Sequence, residues 1–247
     1  MEENIIPVLE KYKKKLENEY GYKVLYIGLY GSQNYNCHDE LSDIDARAIV
    51  LPDFNDLVFR KEISKVYTFD EGEVDVKDLI TYCNVAKKGN PAFIEPLQSE
   101  YWLGDEKIRN LFYKLPANLN AIFGTMIQKQ KVLTHEFPSK REEFTKWGFD
   151  PKQLHHILRL RDLLQSIINN SNHKSFLTYD DFPVARELIY LKRNYFNFTK
   201  EKAIQLADEY VSYAKRMMDS LKDYKFEEFN VDDEIIQYLR EVMKIGY

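Results

Sequence analysis

The sequence predicts an α+β protein: a mixed β-sheet with helices, followed by an all-helical C-terminal lobe. Three observations carry that expectation. Compact β-rich runs cluster in the first eighty residues or so, apolar residues at helical spacing fill most of the rest, and the β signals fade from about Asp105 onward. The expected domains are 1–110 and 111–247, with the break near 105–116 and the helical lobe closing over a ligand cleft.

Taken in order, residues 3–20 place Ile6, Val8, Leu9, Tyr12 and Leu16 among Glu and Lys, a helical spacing that Gly21 ends. KVLYIGLY then reads as a buried strand, and DIDARAIVLP as a second one stopped by Pro52. Residues 64–69 and 73–79 read as two more strands joined by the acidic turn DEGE. LITYCNVAKK is a helix closed by Gly89 and the Asn90-Pro91 turn. Helices follow at 105–114, 117–134, 151–169, 182–191, 200–222 and 232–244, punctuated by Pro116, FPSK, GFDP and NNSNHKS.

Composition narrows the function classes. A net charge of −5 and 30% charged residues lack the strongly basic footprint of a dedicated nucleic-acid binder, leaving only a local basic patch for such a role. Two cysteines, Cys37 and Cys83, make neither a disulfide framework nor a Cys-based zinc site. The N-terminal MEENIIPVLEKYKKKLE is too charged for a signal peptide, and no run approaches the ~20 apolar residues that span a membrane. The expected location is cytoplasmic and reducing, with no membrane partner.

The stretch YGSQNYNCHDELSDIDARAIV, positions 30–50, carries the chemistry. In a strand side chains alternate, so Asp43, Asp45 and Arg47 are expected on one face, with Ile44, Ala46 and Ala48 on the other. Neighbouring same-face carboxylates repel unless neutralised, and Arg47 alone is able to neutralise one of them. Gly31 permits a close backbone approach, and Ser32 offers a hydroxyl and N–H groups at the start of a helical turn, where phosphate oxygens bind. A phosphate-binding turn beside a carboxylate pair is the minimum for a metal-bound triphosphate, with the acids holding Mg²⁺ or Mn²⁺ through hard oxygen ligands. Further along, Lys152, His156 and Arg159 form one stripe on the 151–169 helix, opposite Leu154, Ile157, Leu158, Leu164 and Ile168. Leu160 and Leu163 lie on the stripe's side, which suggests a helix covered on both sides. His155 reads as structural, Glu95 as structural or as a partner supporting a site cation such as Arg47, and Asn90 as a turn residue.

Gly-Ser followed by ten residues and Asp-Ile-Asp resembles the signature of the DNA polymerase β-like nucleotidyltransferase superfamily. Over most of the chain SDIDARAI, KKGNPAFIEPL and WGFDPKQLHHILRL are similar to successive blocks of a nucleotidyltransferase family found beside RNA ligases, the RlaP type. Ala48 and Gln33-Asn34 depart from that family's pattern without removing a ligand oxygen. The resemblance implies transfer of a nucleoside monophosphate from an NTP to an acceptor hydroxyl, RNA among the candidates. It implies two metal ions on Asp43, Asp45 and a third acid on a later strand. Asp75 in EVDVKDL is the candidate, Glu73 shares its face, and Asp78 is an alternative. It also implies that Gly31, Ser32, Arg47, Lys152, His156 and Arg159 contact nucleotide or phosphate. The rival expectations are a catalytically silent nucleotide-binding module and an adaptor that docks RNA near a ligase.

Overall fold

Helix α1 (Ile5–Asn18) forms because Ile5, Leu9, Tyr12 and Leu16 recur on one stripe, and all four are buried. The chain continues through β1 (Val24–Tyr30), a 3-10 turn over Ser32–Tyr35, β2 (Asp45–Val50), α2 (Phe54–Val58), β3 (Ser64–Phe69), β4 (Gly72–Asp78), α3 (Leu79–Ala86), α4 (Pro91–Gln98), β5 (Trp102–Gly104) and α5 (Glu106–Phe112). The remaining helices are α6 (Leu119–Val132), α7 (Arg141–Trp147), α8 (Pro151–Asn169), α9 (Phe182–Arg193), α10 (Lys200–Ser220) and α11 (Asp232–Met243). This computed structural model describes residues 4–113, 115–138, 141–169, 178–179, 182–194 and 198–244. The NNSNHKS break beyond Asn169 lies outside them.

The five strands form one sheet in the order β3-β4-β2-β1-β5. Only β2 and β4 run parallel, and the other neighbours are antiparallel, so the fold is the expected α+β with a mixed sheet. One sheet face is apolar: Ile27, Leu29, Ala46, Ala48, Val50, Val74 and Val76 are buried in one cluster with the stripe of α1. On the other face Tyr26 and Ile49 enter a second cluster with Leu79, Tyr82, Ile94, Ile108 and Phe112 from α3, α4 and α5. The same face also carries Asp45, Arg47, Asp75 and Lys77.

The chain divides into two compact units. The first comprises Met1–Asn34, Ser42–Pro116 and Glu227–Tyr247, and the second Tyr35–Leu41 and Ala117–Phe226. These units differ from a simple split into 1–110 and 111–247 at two places. The C-terminal α11 belongs to the first unit, where Ile235, Tyr238 and Leu239 are buried in the α3–α5 core and the Tyr238 hydroxyl donates to Asp105 at 2.9 Å. The loop Tyr35–Leu41 belongs to the second, because Tyr35 and Cys37 are buried in the helical core and Arg193 bonds Asp39 at 2.7 and 2.8 Å. Helical periodicity shows that a segment buries a face; it does not show which core receives it.

Elements missed in the sequence were mostly short. Asn90 and Pro91, read as a turn, start α4: the Asn90 side chain accepts from the Ala92 amide at 3.1 Å, and proline suits a first helical turn. Helix α2 buries none of its residues, and β5 spans only three. In the second unit α8 packs against α6, α9 and α10. No described helix is long and apolar enough to cross a membrane.

Candidate functional site

Strand β1 ends at Tyr30, opposite Asp45 in the antiparallel β1–β2 ladder. Gly31 follows with φ of 83°, a conformation that disfavours side chains, and its carbonyl accepts from the Asn34 amide at 3.0 Å to close the turn. A Cβ at Gly31 would lie 3.3 Å from Asp45 Oδ2. The glycine therefore lets the turn lie against the carboxylate. Gln33 ties the turn to the returning chain by donating to the Ser42 carbonyl at 3.2 Å.

Asp45 is half-buried and its Oδ1 accepts from the Glu73 amide at 3.1 Å. Asp43 is exposed and precedes β2, which begins at Asp45, so the strict alternation expected from Asp43 to Arg47 holds only for Asp45 and Arg47. Between the acids, Ile44 is held on both backbone groups. Its amide donates to the Glu71 carbonyl at 2.8 Å, and its carbonyl accepts from the Tyr12 hydroxyl at 3.0 Å. Burial first, then the carboxylates of Glu71, Asp45 and Asp43, push the Tyr12 phenol well above its ordinary range, so it stays a donor.

Arg47 does not neutralise the acid pair. The parallel β2–β4 ladder sets it beside Asp75, with Nη1 3.5 Å from Oδ2, and Lys77 Nζ lies 3.2 Å from the same carboxylate. The Arg47 guanidinium is clamped between rings, 4.0 Å from the Phe93 centroid and 4.5 Å from that of Tyr30. Lys77 also donates to the Ser64 hydroxyl at 2.7 Å and sits 5.6 Å from the Phe93 centroid. Phe93 was missed because its helix was missed. Lys77 carried a signal, since period-two alternation puts it on the face of Asp75. Tyr12 carried none beyond its core spacing.

The expected ligand trio of Asp43, Asp45 and Asp75 is not assembled into one centre. Among the described residues no group of three or more His, Cys, Asp or Glu side chains could hold a metal ion. The register explains it: Asp75 stands beside Arg47, two residues or roughly 7 Å along the strand from the level of Asp45. It serves as counter-ion to Arg47 and Lys77. The alternative Asp78 is a helix cap, accepting from the Thr81 amide at 2.9 Å, the Thr81 hydroxyl at 2.6 Å and the Ile63 amide at 2.9 Å. What remains is Asp45 against the Gly31 turn, with Asp43 two residues before it in the chain. That donor set fits one divalent ion whose other ligands are water or phosphate oxygens, as Mg²⁺ is commonly bound. Glu95 is fully buried on α4. A hollow of about 800 Å³ lies elsewhere, lined by Lys13, Lys23, Asp105 and Tyr238 and by neither acid.

In the second unit the α8 stripe separates into three different environments. Lys152 is exposed, His156 half-buried, and Arg159 buried with its guanidinium 4.0 Å over the Tyr35 ring. Burial, then His155 and nearby cations, lower His156 well below the ordinary histidine range, so it is a neutral ring near pH 7. The expected continuous basic stripe thus offers one exposed cation. His155 is structural as expected: it is buried, its Nδ1 lies 2.9 Å from the Leu188 carbonyl, and burial lowers its pKa to about 3. Lys192 and Arg193 end α9, and Arg193 is committed to Asp39.

No protein-family model matches the chain, and no curated protein matches it. Among solved structures it is similar to a nucleotidyltransferase-like protein from Exiguobacterium sibiricum. The identity is 11% and the TM-score 0.31, over 96% of this chain and 89% of that one. Nothing about this chain's chemistry rests on a likeness that distant.

Proposed function

We propose that the protein is a metal-dependent nucleotidyltransferase of the DNA polymerase β-like superfamily, moving a nucleoside monophosphate from an NTP to an acceptor hydroxyl. The observation that carries this reading is the Gly31 turn lying against Asp45, with room at Gly31 for a hydrogen but not comfortably for a methyl. A phosphate-binding turn and a carboxylate pair are then adjacent on one sheet end. Asp43 and Asp45 would hold the ion, which when bound neutralises the triphosphate and polarises the α-phosphorus. Gly31 and Ser32 orient the phosphates through the turn, and Arg47, fixed by its two rings and Asp75, sets a positive charge on the same face. The acceptor oxygen bonds to the α-phosphorus, the bond to the bridging oxygen breaks, pyrophosphate leaves, and the hydroxyl proton passes to solvent. The resemblance to the RlaP-type family makes an RNA end the first acceptor to offer.

A second reading has its own observation. With Asp75 engaged by Arg47 and Lys77, Asp43 and Asp45 are left as the proposed ligands, a set that suits nucleotide binding without turnover. One experiment separates the two. The protein is incubated with each α-³²P-labelled NTP, Mg²⁺ or Mn²⁺, and RNA, protein or small-molecule acceptors. Label on an acceptor with release of pyrophosphate supports transfer. Thermal protection by NTP with no product supports the silent module.

A further inference from the structure

We propose that Tyr12 and the Glu71-Gly72 turn are positioning residues for the acid pair, acting through the backbone of Ile44. The purpose assigned to this clamp rests on the nucleotidyltransferase reading; its geometry does not.

Ile44 separates the two carboxylates, so any change in its φ and ψ changes how Asp43 and Asp45 stand relative to each other. Three contacts restrain that change. The Tyr12 hydroxyl donates to the Ile44 carbonyl at 3.0 Å. The Ile44 amide donates to the Glu71 carbonyl at 2.8 Å. Gly72 crowds the same peptide, for a Cβ there would fall 2.6 Å from the Ile44 oxygen and 3.0 Å from its nitrogen. A fourth contact fixes the carboxylate itself, the Glu73 amide on Asp45 Oδ1 at 3.1 Å.

Each part of the clamp is anchored in turn. Tyr12 is fully buried, and its ring stacks on Phe69 with centroids 5.0 Å apart and planes at 23°. Phe69 ends β3 opposite Gly72, so the ring that carries the hydroxyl rests on the strand pair that carries the turn. Lys11, the neighbour of Tyr12 on α1, is ion-paired with the Glu71 side chain. Hydrophobic burial would be satisfied by phenylalanine at position 12. What the hydroxyl adds is a hydrogen bond to the carbonyl between the acids.

The experiment compares Tyr12→Phe with Leu9→Ala, a fully buried neighbour on the same helix, and with Asp45→Asn. Amide hydrogen exchange at Ile44 and Glu73 reads the clamp, and a Mn²⁺ titration followed by electron paramagnetic resonance reads the acid pair. Tyr12→Phe should raise exchange at Ile44 and weaken Mn²⁺ binding, each about fivefold, the worth of one hydrogen bond. Leu9→Ala should lower the thermal midpoint further while leaving Mn²⁺ affinity within about twofold, because it removes packing and no clamp bond. Asp45→Asn should lose most Mn²⁺ binding. Unchanged exchange at Ile44 in Tyr12→Phe would overturn the clamp itself. Equal loss of Mn²⁺ in Leu9→Ala would reduce Tyr12 to a core residue and overturn its positioning role. A wild-type protein that binds no Mn²⁺, with Ile44 exchange still raised in Tyr12→Phe, would instead remove the nucleotidyltransferase reading, and the purpose of the clamp with it.

Discussion

Strand β2 and helix α8 each present charged residues at a regular spacing, yet they treat those charges differently. On β2, Asp45 and Arg47 share a face, one against the Gly31 turn and the other between two rings beside Asp75. On α8, residues at helical spacing end in three environments: exposed Lys152, neutral His156 and buried Arg159. The difference is one of covering. A sheet has two faces, and when one is buried under α1 the other inherits the charges. A helix packed against α6, α9 and α10 has little open surface, so a polar stripe is divided among its neighbours.

The largest effect should come from the strand. Asp43→Ala combined with Asp45→Ala should lower transfer by roughly a thousandfold or more, the scale of losing the metal's charge at the reacting phosphate. The thermal midpoint should move by only a few degrees, since Asp43 is exposed and Asp45 is only half-buried at the start of its strand. Turnover retained by that double variant would break the comparison at its source, because the acids would then be no more than a charged sheet edge.

The next effect belongs to the helix and depends on pH. His155 has a folded pKa of about 3, below its unfolded value near 6.5, and His156 is lowered in the same direction. A depressed histidine stabilises the fold above the unfolded pKa, and that contribution is lost as pH falls from about 6.5 toward 3. The loss runs at roughly 1.4 kcal/mol per pH unit for a group buried as His155 is. His155→Gln keeps a donor for the Leu188 carbonyl and carries no charge. Its acid-unfolding midpoint should fall below that of the wild type, measured by circular dichroism. An unchanged midpoint would mean the ring is solvated, and that α8 is less covered than the strand's far face.

How much of this was legible follows from the same contrast. Alternation alone placed Asp45 and Arg47 together, and the Gly-Ser pair marked the turn. The expected alternation did not reach Asp43 because the strand starts one step past Ile44. Asp75 was misjudged because its level relative to Asp45 is set by the β2–β4 register, and a strand's own sequence does not state its partner's register. The loop Tyr35–Leu41 and helix α11 read correctly as a loop and a helix, while the cores that receive them depend on contacts distant in sequence.

Arg159 should matter to stability by a moderate amount. Arg159→Ala removes a buried guanidinium stacked on Tyr35 and the alkyl stem beneath it, at a cost of about 2 kcal/mol. A thermal midpoint several degrees lower, with NTP affinity preserved in the folded fraction, would mark Arg159 as a structural residue of the second unit. Affinity lost at constant midpoint would return it to the phosphate-binding group in which the sequence reading placed it.

Lys152 is the smallest case and the sharpest test of the comparison. It is the member of the stripe that remains exposed, so substitution costs the fold little, and any effect must be read through a ligand. A solvated lysine near a triphosphate contributes a screened charge, worth about 1 kcal/mol or less. Lys152→Ala should therefore weaken NTP binding no more than about fivefold at low salt, and the difference should shrink as ionic strength rises. Lys152→Arg should restore it, since a point charge is all that is required. A larger loss that salt does not screen would show a desolvated contact at Lys152. The contrast between the two regions would then narrow to Arg159 and His156.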